Sequence, residues 1–90
     1  MTSRKLLGIE RTINTYVKKN NDLVTKINID KIPFAQIKSL VSPKEDDPLL
    51  YEGYVLEEKK VEQLNSYLEK KIRPDFGLYF YVLECYGIYE

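Results

Sequence analysis

The chain has ninety residues, 43% of them hydrophobic and 31% charged, which is enough for a single domain spanning 1–90 with one modest core. It holds no histidine, so the commonest general base and metal ligand is missing, and Ser–His or Cys–His catalysis is excluded. Net charge is zero, but residues 1–44 carry nine Lys/Arg against three Asp/Glu, and residues 45–90 carry five against eleven, giving +6 and −6.

Met1-Thr2-Ser3-Arg4-Lys5-Leu6-Leu7-Gly8 begins like a signal peptide, but Glu10 and Arg11 break the apolar run too early for one. No stretch approaches the roughly 18 consecutive apolar residues of a membrane helix. The one cysteine, Cys85, excludes an internal disulfide, and the expected location is the reducing cytoplasm.

Residues 9–17 alternate, with Ile9, Ile13 and Val17 on one side, and residues 23–29 alternate with Leu23, Ile27 and Ile29 on one side. Lys18-Lys19-Asn20-Asn21-Asp22 lies between them, and Asn and Asp tolerate the left-handed backbone of a reversal. This predicts a β-hairpin with a polar tip. Pro33 sets up a helix start, and Phe34, Ile37, Leu40 and Val41 form its apolar stripe before Ser42-Pro43 ends it.

A proline-bracketed charged loop, Pro43 to Pro48, leads to a short predicted strand over 51–56, weakened by Gly53. Residues 57–72 place Val61, Leu64, Tyr67, Leu68 and Ile72 at helical spacing. Glu57 and Glu58 stand at the start and Lys70, Lys71 and Arg73 at the end, as the helix dipole favours. Arg73-Pro74-Asp75-Phe76-Gly77 is a turn, with Gly77 suited to positive φ. The last stretch, Leu78 to Tyr89, is apolar on both faces, as in a central strand.

The order β-β-α-β-α-β predicts an α+β fold, a four-stranded mainly antiparallel sheet with two helices on one face. The last two strands flank a helix, which would suit a parallel pair with a right-handed crossover. Along the last strand Tyr79, Tyr81, Leu83 and Cys85 share one side. Leu78, Phe80, Val82, Glu84, Tyr86 and Ile88 share the other. One of these sets must face away from the helices, and tyrosines there suit an interface, although rings that merely cap the sheet are the plainer reading of any one of them.

Little else points to chemistry. Glu45-Asp46-Asp47 lacks the alternating spacing of a calcium loop, so no metal is expected. Cys85 reads as a small core residue. The four glycines are isolated, which excludes a phosphate-cradling loop and its cofactors. Glu84 is a carboxylate among apolar neighbours, suited to a partner or a structural pair before a catalytic role. Lys18, Lys19, Lys26, Lys31 and Lys38 could form a basic patch, but zero net charge and an aromatic strand in the acidic half argue against nucleic acid.

Asp47-Pro48, Tyr51 to Leu56, the following helix and Tyr79-Phe80-Tyr81-Val82-Leu83-Glu84-Cys85 together resemble a family of small bacterial domains that end in a Y-x-Y-F-L-E-type strand. Some of these look like immunity proteins of polymorphic-toxin or contact-dependent-inhibition systems. The resemblance covers about residues 45–86 and departs at Val82, where a phenylalanine is usual. It implies a cytosolic, non-enzymatic protein that blocks a cognate toxin domain, commonly a nuclease with a basic groove. Partner-binding residues would then be Tyr79, Tyr81, Glu84, Tyr86, Asp46 and Asp47. The alternatives are a homodimer or accessory module joined through the open sheet face or through the final strand as a sheet edge, and a small enzyme built on Glu84 or the acidic loop.

Overall fold

The computed structural model describes residues 5–89; the Met1–Arg4 part of the leader-like segment lies outside it. Its elements are β1 (Leu6–Val17), β2 (Leu23–Asn28), α1 (Phe34–Val41), β3 (Tyr54–Leu56), α2 (Glu58–Asn65) and β4 (Tyr79–Tyr89). The four strands form one sheet in the order β2-β1-β4-β3, and every neighbouring pair is antiparallel. The expected α+β order is therefore present. The parallel pairing considered for the last two strands is not: β3 runs antiparallel to β4, with Tyr54 opposite Leu83 and Leu56 opposite Tyr81.

Alternation assigns the faces. Ile13 lies opposite both Ile27 and Leu83, so these three side chains point to one side of the sheet, together with Tyr81, Tyr54 and Leu56. On that side they join Ile37 and Val41 of α1 and Val61 and Leu64 of α2 in one buried cluster. Both helices thus cover the same face. The opposite face carries Tyr16, Phe80, Val82, Glu84 and Tyr86, and neither helix reaches it.

The hairpin tip turns with Asn21 at φ 61°, the left-handed conformation its side chain tolerates. Near that tip a bulge makes Leu23, rather than Val24, face Tyr16. A single extra residue reverses the alternation, so Leu23 leaves the side of Ile27 and is exposed. Helix α1 begins after Pro33 and stops at Ser42, whose φ of 57° ends the helical path while its N–H still bonds the Lys38 carbonyl.

Helix α2 is shorter than the spacing predicts. It ends at Asn65, whose side-chain carbonyl accepts the Ile72 N–H (2.7 Å) while its amide donates to the Ile72 carbonyl (2.9 Å). This two-bond clasp folds residues 66–72 back as a loop. Ile72 and Leu68 still reach the core, which is why their spacing imitates a longer helix. The expected basic C-terminus is absent, since no basic residue lies in the last turn of α2; instead the Lys71 ammonium reaches back from the loop to the carbonyls of Asn65 and Leu68. The turn before β4 is made by Asp75 rather than by glycine. Its carboxylate accepts the N–H groups of Gly77 (3.0 Å) and Leu78 (3.2 Å), and no described glycine has positive φ.

Replacing Leu83, which is fully buried, by alanine is expected to cost about 2–5 kcal/mol in urea unfolding. Val55, on β3 and 70% exposed, should cost less than about 0.5 kcal/mol when changed to alanine. Equal losses at the two positions would contradict the assignment of sheet faces.

Candidate functional site

The uncovered face is built along the seam between β1 and β4. Tyr16 lies opposite Phe80, Thr12 opposite Glu84 and Glu10 opposite Tyr86. The rings of Tyr16 and Phe80 stack with centroids 5.3 Å apart and planes 20° from parallel. An opposed aromatic pair of this kind adds about 0.5–1.5 kcal/mol beyond its buried area. Exposed Val55 extends the apolar ground toward β3, while Val82 opposite it is buried.

Next to the aromatic pair lies a hydrogen-bond network centred on Glu84. Its Oε2 accepts the hydroxyls of Tyr16 (2.7 Å) and Tyr86 (2.8 Å) and the side-chain amide of Asn14. The two Asn14 amide hydrogens are shared between that carboxylate and the hydroxyl oxygens of Tyr86 (2.8 Å) and Tyr16 (3.1 Å), while its carbonyl accepts the Thr12 hydroxyl (2.7 Å). Asn14 and Thr12 are buried although they lie on the uncovered face, and the Tyr16 and Tyr86 hydroxyls close on Asn14. Every member finds a partner, as a low-dielectric polar cluster requires. Burial, then the Glu84 carboxylate, holds the Tyr86 phenol above its usual titration range.

Three donors converge on one oxygen of Glu84; among the described residues no donor reaches Oε1. The carboxylate is therefore held in place through one of its two oxygens. Lys26 stands beside it, 4.0 Å from the Tyr86 ring centroid and 4.0 Å from the Glu10 carboxylate. A general-base role has less support, since Glu84 sits on a sheet surface and lines neither of the depressions between β2 and residues 67–73.

The residues expected to bind a partner are dispersed. Glu84 and Tyr86 lie together on the open face. Tyr81 is 1% exposed on the helix face, where its hydroxyl accepts the Asp75 N–H (2.9 Å), so it offers a partner no surface. Tyr79 is on that same side, packed against the core. Tyr16, Phe80 and Asn14 complete the open face, and their signal was available: they occupy the β1 and β4 positions out of phase with Ile13 and Leu83.

The acidic loop divides in the same way. Asp46 is exposed, but Asp47 is only 6% exposed and organises its own loop. Its carboxylate accepts the N–H groups of Tyr51 (2.9 Å) and Glu52 (3.0 Å) and the Tyr54 hydroxyl (2.6 Å). That scaffold holds Leu50 fully buried at φ 56°, unusual for a leucine, and Arg11 bonds the neighbouring Leu49 carbonyl (2.6 Å). The Asp47 of the conspicuous Asp-Pro pair thus has a structural explanation.

Cys85 lies opposite Arg11, half-buried, and burial pushes its thiol up, the reverse of what a nucleophile needs. Among the described residues no three His, Cys, Asp or Glu side chains gather as a metal site, and no helix is long and apolar enough to cross a membrane.

Fold and site define a small α+β domain with one sheet face packed by helices and the other carrying an aromatic pair and an anchored carboxylate. The family model for a domain of unknown function, DUF7683, matches residues 10–84, and the chain belongs to that family. No curated protein and no solved structure matches it. The match runs from within β1 to Glu84, so it takes in Tyr16, Phe80 and Glu84 but stops short of Tyr86.

The hydrogen bond from Tyr54, and then those from the backbone, hold the Asp47 carboxyl below its ordinary value. Its contribution to stability is therefore complete above the unfolded-state value near 3.9 and is lost as pH falls through the lower folded value. Stability measured from pH 6 downward should fall less steeply in Asp47→Asn than in the parent chain. An unchanged acid limb would remove Asp47 as an acid-sensitive element.

Proposed function

We propose that this chain is a cytoplasmic protein-binding module that acts as an immunity protein, docking the β1/β4 face onto a cognate bacterial toxin domain and covering its active site. The observation that carries this reading is the uncovered sheet face itself, where the Tyr16–Phe80 stack adjoins a carboxylate already locked by three donors. An anchored carboxylate loses little freedom when it takes a partner's arginine or lysine, so less of the interaction is offset by ordering. Aromatic side chains beside a desolvated charge are the usual composition of an interface hot spot.

Charge placement supports a partner with a basic groove, such as a nuclease-type toxin. Glu45, Asp46, Glu52, Glu57 and Glu58 are all exposed in the segments flanking β3, next to β4 in the sheet, whereas the lysine-rich hairpin lies across the seam. Approach over the β4–β3 side would be steered by that acidic border. The module binds and does not catalyse. The competing reading is a homo-oligomeric accessory module, in which a second copy covers the same face.

The test is recovery of tagged protein from its native host, followed by binding and activity assays with the recovered partner. A single stoichiometric partner bearing a toxin domain, silenced by the addition of this chain, is expected. Tyr16→Ala, Phe80→Ala and Glu84→Gln should each weaken that complex at least about tenfold, or about 1.4 kcal/mol, while the variants remain folded. Recovery of only the protein itself, or of RNA, would overturn the proposal, as would a toxin complex indifferent to all three substitutions.

A further inference from the structure

The opposite side of the molecule holds a second surface, independent of the β1/β4 face. Strand β2 is a sheet edge of six residues, twice the length of the three-residue edge β3. The Ile29 N–H bonds the Arg11 carbonyl (3.0 Å), and in the same register Ile27 pairs with Ile13 and Thr25 with Thr15. These are the hydrogen-bonded positions, so the backbone groups of Lys26 and Asn28 point away from β1 and are left for another strand.

The helices do not cover this edge. Thr25 is exposed and Ile27 only half-buried, although both face the helix side. Between β2 and the clasped 66–72 loop run two shallow depressions of about 340 and 320 Å³, which share Ile27 as a common wall. Their floor is aliphatic, from Ile27, Ile32, Leu68 and Ile72, and the lining carries Lys31, Lys70, Lys71 and Arg73 against a single carboxylate, Glu69. Lys71 bonds the carbonyls of Asn65 and Leu68, and Lys31, Lys70, Lys71 and Arg73 are all exposed.

We infer that this edge and groove bind an extended acidic peptide segment, which adds to β2 as a fifth strand. Its backbone would bond Lys26 and Asn28. Because strand side chains alternate, those on its groove side would be an apolar residue over Ile27 with a carboxylate two positions before and after it, meeting Lys31, Lys70 and Arg73 at the groove margins, while the intervening residues face the other way. Strand addition obtains affinity from main-chain hydrogen bonds and selectivity from pockets for alternate side chains, and both components lie side by side here. The bulge at Val24 ends regular pairing toward the hairpin tip, so the added strand lies along Thr25–Ile29. A nucleic acid would use the cations, but it has no use for an unpaired strand edge or an aliphatic floor.

The probe is a seven-residue capped peptide in which glutamate, valine and glutamate occupy alternate positions with serine between and beside them, so that all three share one face; it is titrated into the isotopically labelled full chain and followed by amide NMR. Three comparison probes are run: the same peptide methylated on its bonding amides, a lysine–valine peptide, and a short oligothymidylate. Expected are shifts confined to residues 25–29 and 68–73, with exchange of the Lys26 and Asn28 amides slowed at least about tenfold on binding. Lys70→Glu combined with Arg73→Glu, both at exposed positions, should weaken the peptide at least about tenfold. Retained binding after methylation, equal binding of the lysine peptide, shifts on the Phe80 face or no shifts at all would overturn the inference. A response to oligothymidylate alone would replace it with a nucleic-acid surface.

Discussion

Pairing of β1 with β4 is the constraint on which the rest depends. Eleven residue pairs join these two central strands, from Leu6–Tyr89 to Val17–Tyr79. Because side chains alternate, this register decides in one step that Ile13, Tyr81 and Leu83 enter the core and that Asn14, Tyr16 and Glu84 do not. A slip of one residue would exchange the two sets, burying a carboxylate and an amide under the helices and exposing the largest core residues. Both helices, the hairpin and β3 attach to a platform whose faces that register has already assigned.

The same register assembles the polar network. Thr12, Asn14 and Tyr16 come from alternate positions of β1, and Glu84 and Tyr86 from alternate positions of β4, so one face receives all five at the spacing that hydrogen bonds need. Each donor is matched, and the cluster is therefore rigid and costly to break at any single point. Its rigidity connects structure to function: an anchored carboxylate beside stacked rings is a ready contact, whereas a solvated glutamate would have to be ordered on binding. The Asp47 network applies the same chemistry to another end, stabilising an irregular loop and a leucine in the left-handed region.

Much of the fold was legible because alternation and helical spacing are local. The hairpin, α1, the apolar last strand and its division into two faces all follow from which residues recur at two or at three and four. What was not legible depended on long-range contacts. Both faces of β4 are rich in aromatics, so nothing within that strand says which tyrosines are buried; Ile13 opposite Leu83 decides it and sends Tyr81 inward. Asp47 reads as one more solvated acid until Tyr51, Glu52 and Tyr54 are seen folding around it. Helix α2 stops short because Asn65 clasps a residue seven positions on, a bond no propensity encodes. Glu84 stood out early as a carboxylate among apolar neighbours, but its donors Tyr16 and Asn14 come from the other end of the chain.

The central claim is that the β1/β4 face is open in the free protein and reserved for a different partner. Sedimentation velocity of the isolated chain over a hundredfold concentration range tests this most directly. The account predicts a single species with the mass of one ninety-residue chain at every concentration. A dimer that Phe80→Glu dissociates would show that a second copy already covers this face, and would contradict the account.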